Sequence, residues 1–386
     1  MIYKLIKSDY EKARSIFKGL EYNLIISAVI DATSPGRIYV DDISHPKTAF
    51  LCSVEGCYLA GYEDNDEFNA ALGKLVTEII LTRDNVEEDE DGIFIDFHPD
   101  NWETKLGDIF TIRAPLKNRR RRYTCRKLKV NWKNQIPDGY SIHRIDGKLL
   151  ERPGLKIPSH VTYWMKTNWG SIEYFMQKGF GFCMLHGNKM VSWCIADCVS
   201  GNQCEVGIHT AEEYRKRGLA TLTVAATVDY CLSYGFISVG WHCDEDNIGS
   251  WKTAEKVGFE KTRDYVFHYC MFDEVYHLAE TGFCCFKAKQ YKECAQWYEK
   301  VFAMGGDYPH YYYHLAALAW AALGNRSTAI RYLNAAIDKG WTDIDFTKSC
   351  EQFRSLYGTS EWQNVLMRLQ EKLDEFVLEE IDENQN

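Results

Sequence analysis

What this sequence lacks narrows it first. No stretch approaches the roughly 18 uninterrupted apolar residues that a membrane helix needs, and Met1–Lys12 holds no apolar core of the kind a secretory signal carries. The expectation is a cytoplasmic protein with no membrane partner. Fourteen cysteines are present, yet none are spaced Cys-x-x-Cys. Cys183, Cys194, Cys231 and Cys294 fall inside apolar stretches, which points to buried reduced thiols. His186, His209, His242 and His268 form no His-x-x-Glu-His array, so no metal site is expected. Basic charge is short as well: 45 Lys and Arg face 55 Asp and Glu, a net charge of −10. Surfaces that track phosphates need the opposite balance, so no nucleic-acid partner is expected. The run Arg119–Arg122, continuing to Arg126, Lys127 and Lys129, is a local exception. It is read as a solvated edge strand or a domain connector, since strands protect exposed edges with charge.

What is present reads as globular throughout. At 386 residues with 46% hydrophobic and 14% aromatic content, the chain is too long for one ordinary core; about two to three domains are expected. Its most informative segment is Arg215-Lys216-Arg217-Gly218-Leu219-Ala220, which follows the apolar stretch Cys204–His209 and opens a helical one. Backbone N–H groups at such a helix start can cradle a pyrophosphate. Gly218 lets the main chain approach an anion closely, small Ala220 admits a ligand against the helix start, and the helix dipole favours negative charge.

Further along, Ser238–His242 reads as a strand, and Asn247, Ser250, Ala254, Glu255, Lys256, Val257, Gly258 and Phe259 form a second helix ending on Gly-Phe. In order and spacing this resembles the GNAT superfamily of acyl-CoA N-acyltransferases. The resemblance is nearest to the subfamily that includes the zwittermicin-resistance-type acetyltransferases, and it covers residues 135–273. It implies acetyl-CoA as the acyl donor. Gly207, Ile208 and His209 would pair their main chain with the pantetheine arm. The amides of Arg215, Lys216, Arg217, Gly218, Leu219 and Ala220, with Thr221, would hold the pyrophosphate. Asn247 would hydrogen-bond the arm, with Ser250 in the same donor-binding set.

Acyl transfer to an amine also asks for a base, an oxyanion stabiliser and a proton for the thiolate. Glu205 is the candidate base: it lies on a predominantly apolar strand, close to where several GNAT enzymes carry one, and a carboxylate there is unusual unless used or paired. A glutamate on a solvent face, or bonded to neighbouring backbone, is the other reading. Many GNAT enzymes place a tyrosine seven residues after the asparagine, but here that position is Ala254. Tyr265 on the last strand is the substitute taken forward; Ser250, Cys243 or an unassisted thiolate also satisfy the chemistry. Neighbouring His242 and Cys243 point to opposite faces of a strand and do not form a nucleophile–base pair. The aromatic residues Tyr163, Trp164, Trp169 and Tyr174 lie on helices that border the acceptor pocket in this superfamily; aromatic residues on helices are more often core, and some of these should line the acceptor side.

The same order of elements runs through residues 1–134 and 135–273, so the expected class is α+β, a mixed sheet built from tandem GNAT-like folds. The first unit carries a strand at Ile2–Leu5, helices over 9–19 and 23–31, strands near Ile38, Phe50 and Tyr58, and a helix from Phe68 to Ile80. A strand, Ile93–Phe97, follows the acidic loop Glu87–Asp91. Where the second unit has its Arg- and Gly-containing loop, the first has Glu63, Asp64, Asp66 and Glu67, four carboxylates that would repel a pyrophosphate. It therefore reads as degenerate, lending packing or part of a substrate wall. Residues 274–386 read as an all-α tail, with Gly282, Cys294, Tyr298 and Val301 matching Ala317, Ala329, Leu333 and Ala336 at a period of 35, close to a tetratricopeptide repeat. That tail docks on the acyltransferase body or offers a groove to a protein partner. The function expected is acetyl transfer from acetyl-CoA to a primary amine of a small molecule or peptide by direct attack in a ternary complex. Its competitors are an acetyl-CoA-sensing adaptor without turnover and a tandem-fold enzyme that uses another acyl donor.

Overall fold

The computed structural model describes residues 1–80 and 92–383, the side chains of 79, 80 and 376–383 excepted. The acidic loop Glu87–Asp91 lies outside the described residues. The rest divides into two compact units, one of residues 1–80 with 93–270 and one of 271–383.

The first unit is organised by one 12-stranded mixed sheet. Its first half supplies β1 (Tyr3–Lys4), β2 (Arg37–Val40), β3 (Thr48–Ser53), β4 (Gly56–Gly61), β5 (Gly92–His98) and β6 (Leu116–Cys125), with helices α1 (Leu24–Ile30), α2 (Asp66–Leu75) and α3 (Leu106–Ile109). The second half supplies β7 (Tyr140–Arg144), β8 (Gly181–His186), β9 (Lys189–Ser200), β10 (Gln203–Thr210), β11 (Ser238–Asp244) and β12 (Glu260–Met271). Its helices are α4 (Gly147–Leu150), α5 (Ser159–Trp169), α6 (Ile172–Lys178), α7 (Leu219–Ser233) and α8 (Ile248–Val257). Each half runs as an antiparallel meander and then crosses over through a helix to a parallel neighbour: β4 to β5 through α2, and β10 to β11 through α7.

The strand order is β1-β2-β3-β4-β5-β12-β6-β11-β10-β9-β8-β7. The last strands of the halves have therefore changed places: β12 lies beside β5 of the first half, and β6 lies against β11 of the second. This exchange overturns the reading of Arg119–Arg122 as an edge strand. They sit on β6 in the interior of the sheet. Their charge is met by carboxylates of the flanking strands and the turn after β11, with Arg120 on Asp244 at 3.1 Å and Arg119 and Arg121 on Glu245 at 3.3 and 3.4 Å.

Local sequence explains the elements around the site. Helix α7 is apolar nearly all round because it is buried nearly all round. Val224, Ala225, Val228 and Cys231 pack under the sheet with Trp193 and Cys194 of β9, while Leu219 and Leu222 pack with Met184 and Val191. Thr223 and Thr227 can join this core because their hydroxyls donate back to the carbonyls of Leu219 and Thr223, each at 3.0 Å. Helix α8 starts where the Asn247 side chain accepts the Ser250 N–H at 3.1 Å, and it ends on Gly258 at φ +125°. One expected helix is different: residues 9–19 hold a 3-10 helix, Lys7–Ala13, followed by turns. Tyr10, Ala13 and Phe17 are buried at spacings that a tighter turn satisfies equally well.

The second unit is all helical: α9 (Glu274–Lys287), α10 (Tyr291–Ala303), α11 (His310–Ala322), α12 (Arg326–Asp338), α13 (Ile344–Ser349) and α14 (Ser360–Glu383). Cys294, Tyr298, Val301, Ala317, Ala329, Leu333 and Ala336 are all buried. Gly282 keeps its helix close to the next one, since a Cβ there would stand 3.0 Å from the Tyr298 ring.

Candidate active site

The site begins where two parallel strands part. β10 and β11 are in register from Gln203↔Ser238 to Glu205↔Gly240, and a bulge then follows at Glu205/Val206. Beyond it β10 continues on β9 alone, from Val206 to Thr210, while β11 continues on β6 to Asp244. The parting leaves the β11-facing edge of Val206–Thr210 without a strand partner. A cavity of about 320 Å³ opens there, lined on this side by Gly207, Ile208, Asn247 and Ser250.

The loop after β10 is shaped for an anion. Lys216 takes φ +61° and Gly218 φ +79°, and Gly218 caps α7 with no side chain to occupy its first N–H groups. A Cβ on Gly218 would touch nothing within 4 Å, so the space in front of this helix start is open. The Arg215 side chain is drawn back onto the Thr210 carbonyl at 3.2 Å and Arg217 lies over the Tyr214 ring at 5.3 Å.

At the parting point three side chains form a chain of hydrogen bonds. Glu205 Oε1 is 3.0 Å from His242 Nε2, and His242 Nδ1 is 2.8 Å from the Tyr265 hydroxyl. The strand register produces this contact. Glu205 stands beside Gly240, and His242, two residues on, projects from the same face of β11. Glycine is required at 240 because a Cβ there would lie 2.6 Å from Glu205 Cγ. Burial pushes the Glu205 carboxyl up, but the His242 charge and hydrogen bond, Arg122 and the Leu24 N–H outweigh it, and the group ends below its ordinary range. Burial drives the Tyr265 phenol up.

The rest of the lining draws on both halves of the sheet: Asn23, Ile25, Glu55 and Tyr58 from the first, Trp164 and Asp197 from the second. Burial raises Glu55, against Arg120 and an Asn168 amide that donates to it at 2.8 Å, and raises Asp197 well above the carboxylate range, with the Glu55 and Glu205 charges adding to the effect.

Of the residues singled out from sequence, Glu205, Tyr265, Gly207, Ile208, Asn247 and Ser250 meet in this cavity. His209 and Arg215–Thr221 lie outside its lining, with His209 stacked on Trp193 at 4.7 Å and Leu219–Thr221 forming the first turn of α7. The Asn247 carbonyl oxygen is engaged in capping α8, and the Ser250 hydroxyl accepts the Trp241 N–H at 3.1 Å. Trp164 lines the cavity, whereas Trp169 is a core residue bonded to the Ala196 carbonyl at 2.8 Å. Sequence reasoning passed over Glu55 and Asp197, weighed His242 only as a partner for Cys243, and read Arg120 only as part of a charge run. The alternation that places Gly240 and His242 on one face, with a carboxylate on the adjoining strand, was the available signal for His242. Among the described residues no group of His, Cys, Asp and Glu is arranged to hold a metal ion.

Comparison with known proteins bears on the family and the fold. The sequence model of the GNAT acetyltransferase family matches residues 14–268. An uncharacterized N-acetyltransferase of Bacillus subtilis, YdfB, is 28% identical over 275 residues, 70% of this chain and 98% of that protein. A GCN5-related N-acetyltransferase-like protein from Streptococcus suis shares the fold with a TM-score of 0.52 and 20% identity, over 68% of this chain and 98% of its own.

Proposed function

The chain belongs to the GNAT acetyltransferase family, and from that membership we propose that it moves an acetyl group from acetyl-CoA to a primary amine, with Glu205, His242 and Tyr265 handling the protons. The observation that carries this reading is the Glu205–His242–Tyr265 chain placed where β10 and β11 part. The residues present fit the donor. The N–H groups of Gly218, Leu219, Ala220 and Thr221 would hold its pyrophosphate, with the dipole of the 15-residue helix α7 adding to the attraction. The open edge of Gly207 and Ile208 would pair with the pantetheine arm as a further strand does. Bound there, acetyl-CoA supplies the activated thioester.

Glu205, already a carboxylate near neutrality, takes the proton from the attacking ammonium, an amine being mostly protonated at a pKa of about 10.4. The N–C bond forms, the C–S bond breaks, and the nitrogen gives up a second proton to solvent, which leaves the neutral amide. Tyr265 gives its proton to the departing sulfur, in the role that Ala254 cannot fill. His242, bonded to both, returns a proton to the phenolate and keeps the pair from acting as isolated charges. A thiol-release assay against an amine panel tests the reading: Glu205→Gln should lose about 10²-fold or more in kcat while retaining acetyl-CoA affinity in calorimetry. Full activity in that variant would remove the base assignment.

A further inference from the structure

The cavity holds more carboxyl groups than acetyl transfer to a simple alkylamine requires. Glu205 is partnered by His242, and Asp244 by Arg120, whose guanidinium is also sandwiched between the Phe94 and Phe267 rings at 5.2 and 5.4 Å. Among the described residues Glu55 and Asp197 have no ion-pair partner, and Arg120 acts on them only at longer range. Glu55 accepts from the neutral Asn168 amide at 2.8 Å, and the Asp197 carboxyl accepts from the Trp164 N–H while its Oδ1 is buried without a partner among the described residues. Both line the same cavity as Gly207 and Ile208. Trp164 and Asp197 press closely on the donor strand. A Cβ on Gly207 would stand 2.0 Å from the Trp164 ring and 3.0 Å from Asp197 Oδ1, so glycine at 207 is what leaves room for both.

A buried carboxyl oxygen left without a partner is costly unless something arrives to satisfy it. We infer that the acceptor is a primary amine bearing a second cationic group, and that Asp197 and Glu55 bind this second cation while Glu205 addresses the amine that reacts. The inference rests on the acetyl-transfer reading of the same cavity and adds the charge class of its acceptor. The Trp164 indole, whose N–H donates to Asp197, also lines the cavity beside it. Glu55, Glu205 and Arg120 act electrostatically on Asp197, and Glu55 also feels His242. Burial favours the protonated form of Asp197 and a bound second ammonium favours the carboxylate, so binding draws a proton off to solvent.

The test uses the full chain saturated with coenzyme A and titrated calorimetrically with straight-chain α,ω-diamines of graded length, each against the matched monoamine. Expected is a preference of at least about 30-fold for a diamine, the lower end of what a buried charge pair contributes, with a proton released that reads out as a dependence of binding heat on the buffer's ionisation enthalpy. Asp197→Asn should reduce that preference to near parity. Acetyl-CoA affinity in the same variant checks that it has folded. Equal binding of diamine and monoamine by the unaltered protein, or a preference that survives both Asp197→Asn and Glu55→Gln, would overturn the inference. Failure of the chain to bind acetyl-CoA would instead count against the donor reading, and diamine titration without coenzyme A still decides the charge class.

Discussion

Gly240→Ala displaces the proposed base without removing it. The added Cβ would stand 2.6 Å from Glu205 Cγ and 3.0 Å from Oε1. Carbon atoms rest at about 3.5–4.0 Å, so the Glu205 side chain must retreat by roughly 1 Å. Crowding of this kind costs about 1–3 kcal/mol of stability, which leaves the protein folded. Its effect on rate should be larger, because a shift of about 1 Å in a positioned group costs on the order of 10²-fold. Thiol release from acetyl-CoA with an accepted amine measures the rate, calorimetry measures acetyl-CoA affinity, and thermal unfolding measures stability. The expected pattern is kcat down about 10²-fold with affinity within a factor of about three. Gly107→Ala is the control, since a Cβ there meets nothing within 4 Å. A Gly240→Ala enzyme as fast as the unaltered one would show that Glu205 does not act from this position.

Gly218→Val forces a β-branched residue into φ +79°, where an L-residue costs about 1–2 kcal/mol, and it points a side chain into the open space before α7. Acetyl-CoA affinity should fall at least about tenfold, and undiminished affinity would remove the phosphate-loop assignment. Two carboxylates should move stability in opposite directions with pH. Glu205, depressed in the folded state, stabilises above the ordinary carboxylate range, so Glu205→Gln should lower Tm at neutral pH, with the gap closing as acid protonates Glu205. Asp197, raised by burial, favours its protonated form, so Asp197→Asn should raise Tm at neutral pH and change nothing below the ordinary range, near pH 3.9. Tm curves that run parallel across pH would contradict both. In the helical unit, burial pushes His314 down to about 3 from 6.5, so its contribution is complete above pH 6.5 and is lost as pH falls toward 3. Circular dichroism should show that loss, and His314→Asn should flatten it.

Much of the site was legible because its parts are local. The Arg215–Ala220 loop needs only a strand, a glycine and a helix start in succession, and Glu205 stands out as a carboxylate in an apolar strand. Asn247 announces itself as a cap. What escaped are relations across the sheet. Glu55 reaches the cavity from the turn between β3 and β4, in the half without a phosphate loop, and no periodicity links it to Asp197 on β9. The exchange of β6 and β12 was equally hidden, since pairing order is not written in the alternation of either strand. It also explains the misplacement of Arg119–Arg122. A charge run suits an exposed edge by rule, but here Asp244, Glu245 and Asp264 of neighbouring segments supply the counter-charge that lets it lie inside.

The central claim is that Glu205, His242 and Tyr265 work as one unit, and a double-mutant cycle with Glu205→Gln and Tyr265→Phe tests it most directly, by kcat on a single amine. Groups in one proton chain lose function together, so the double variant should be little slower than the worse single one. If the two losses multiply instead, the side chains act independently and the chain of hydrogen bonds is only structural.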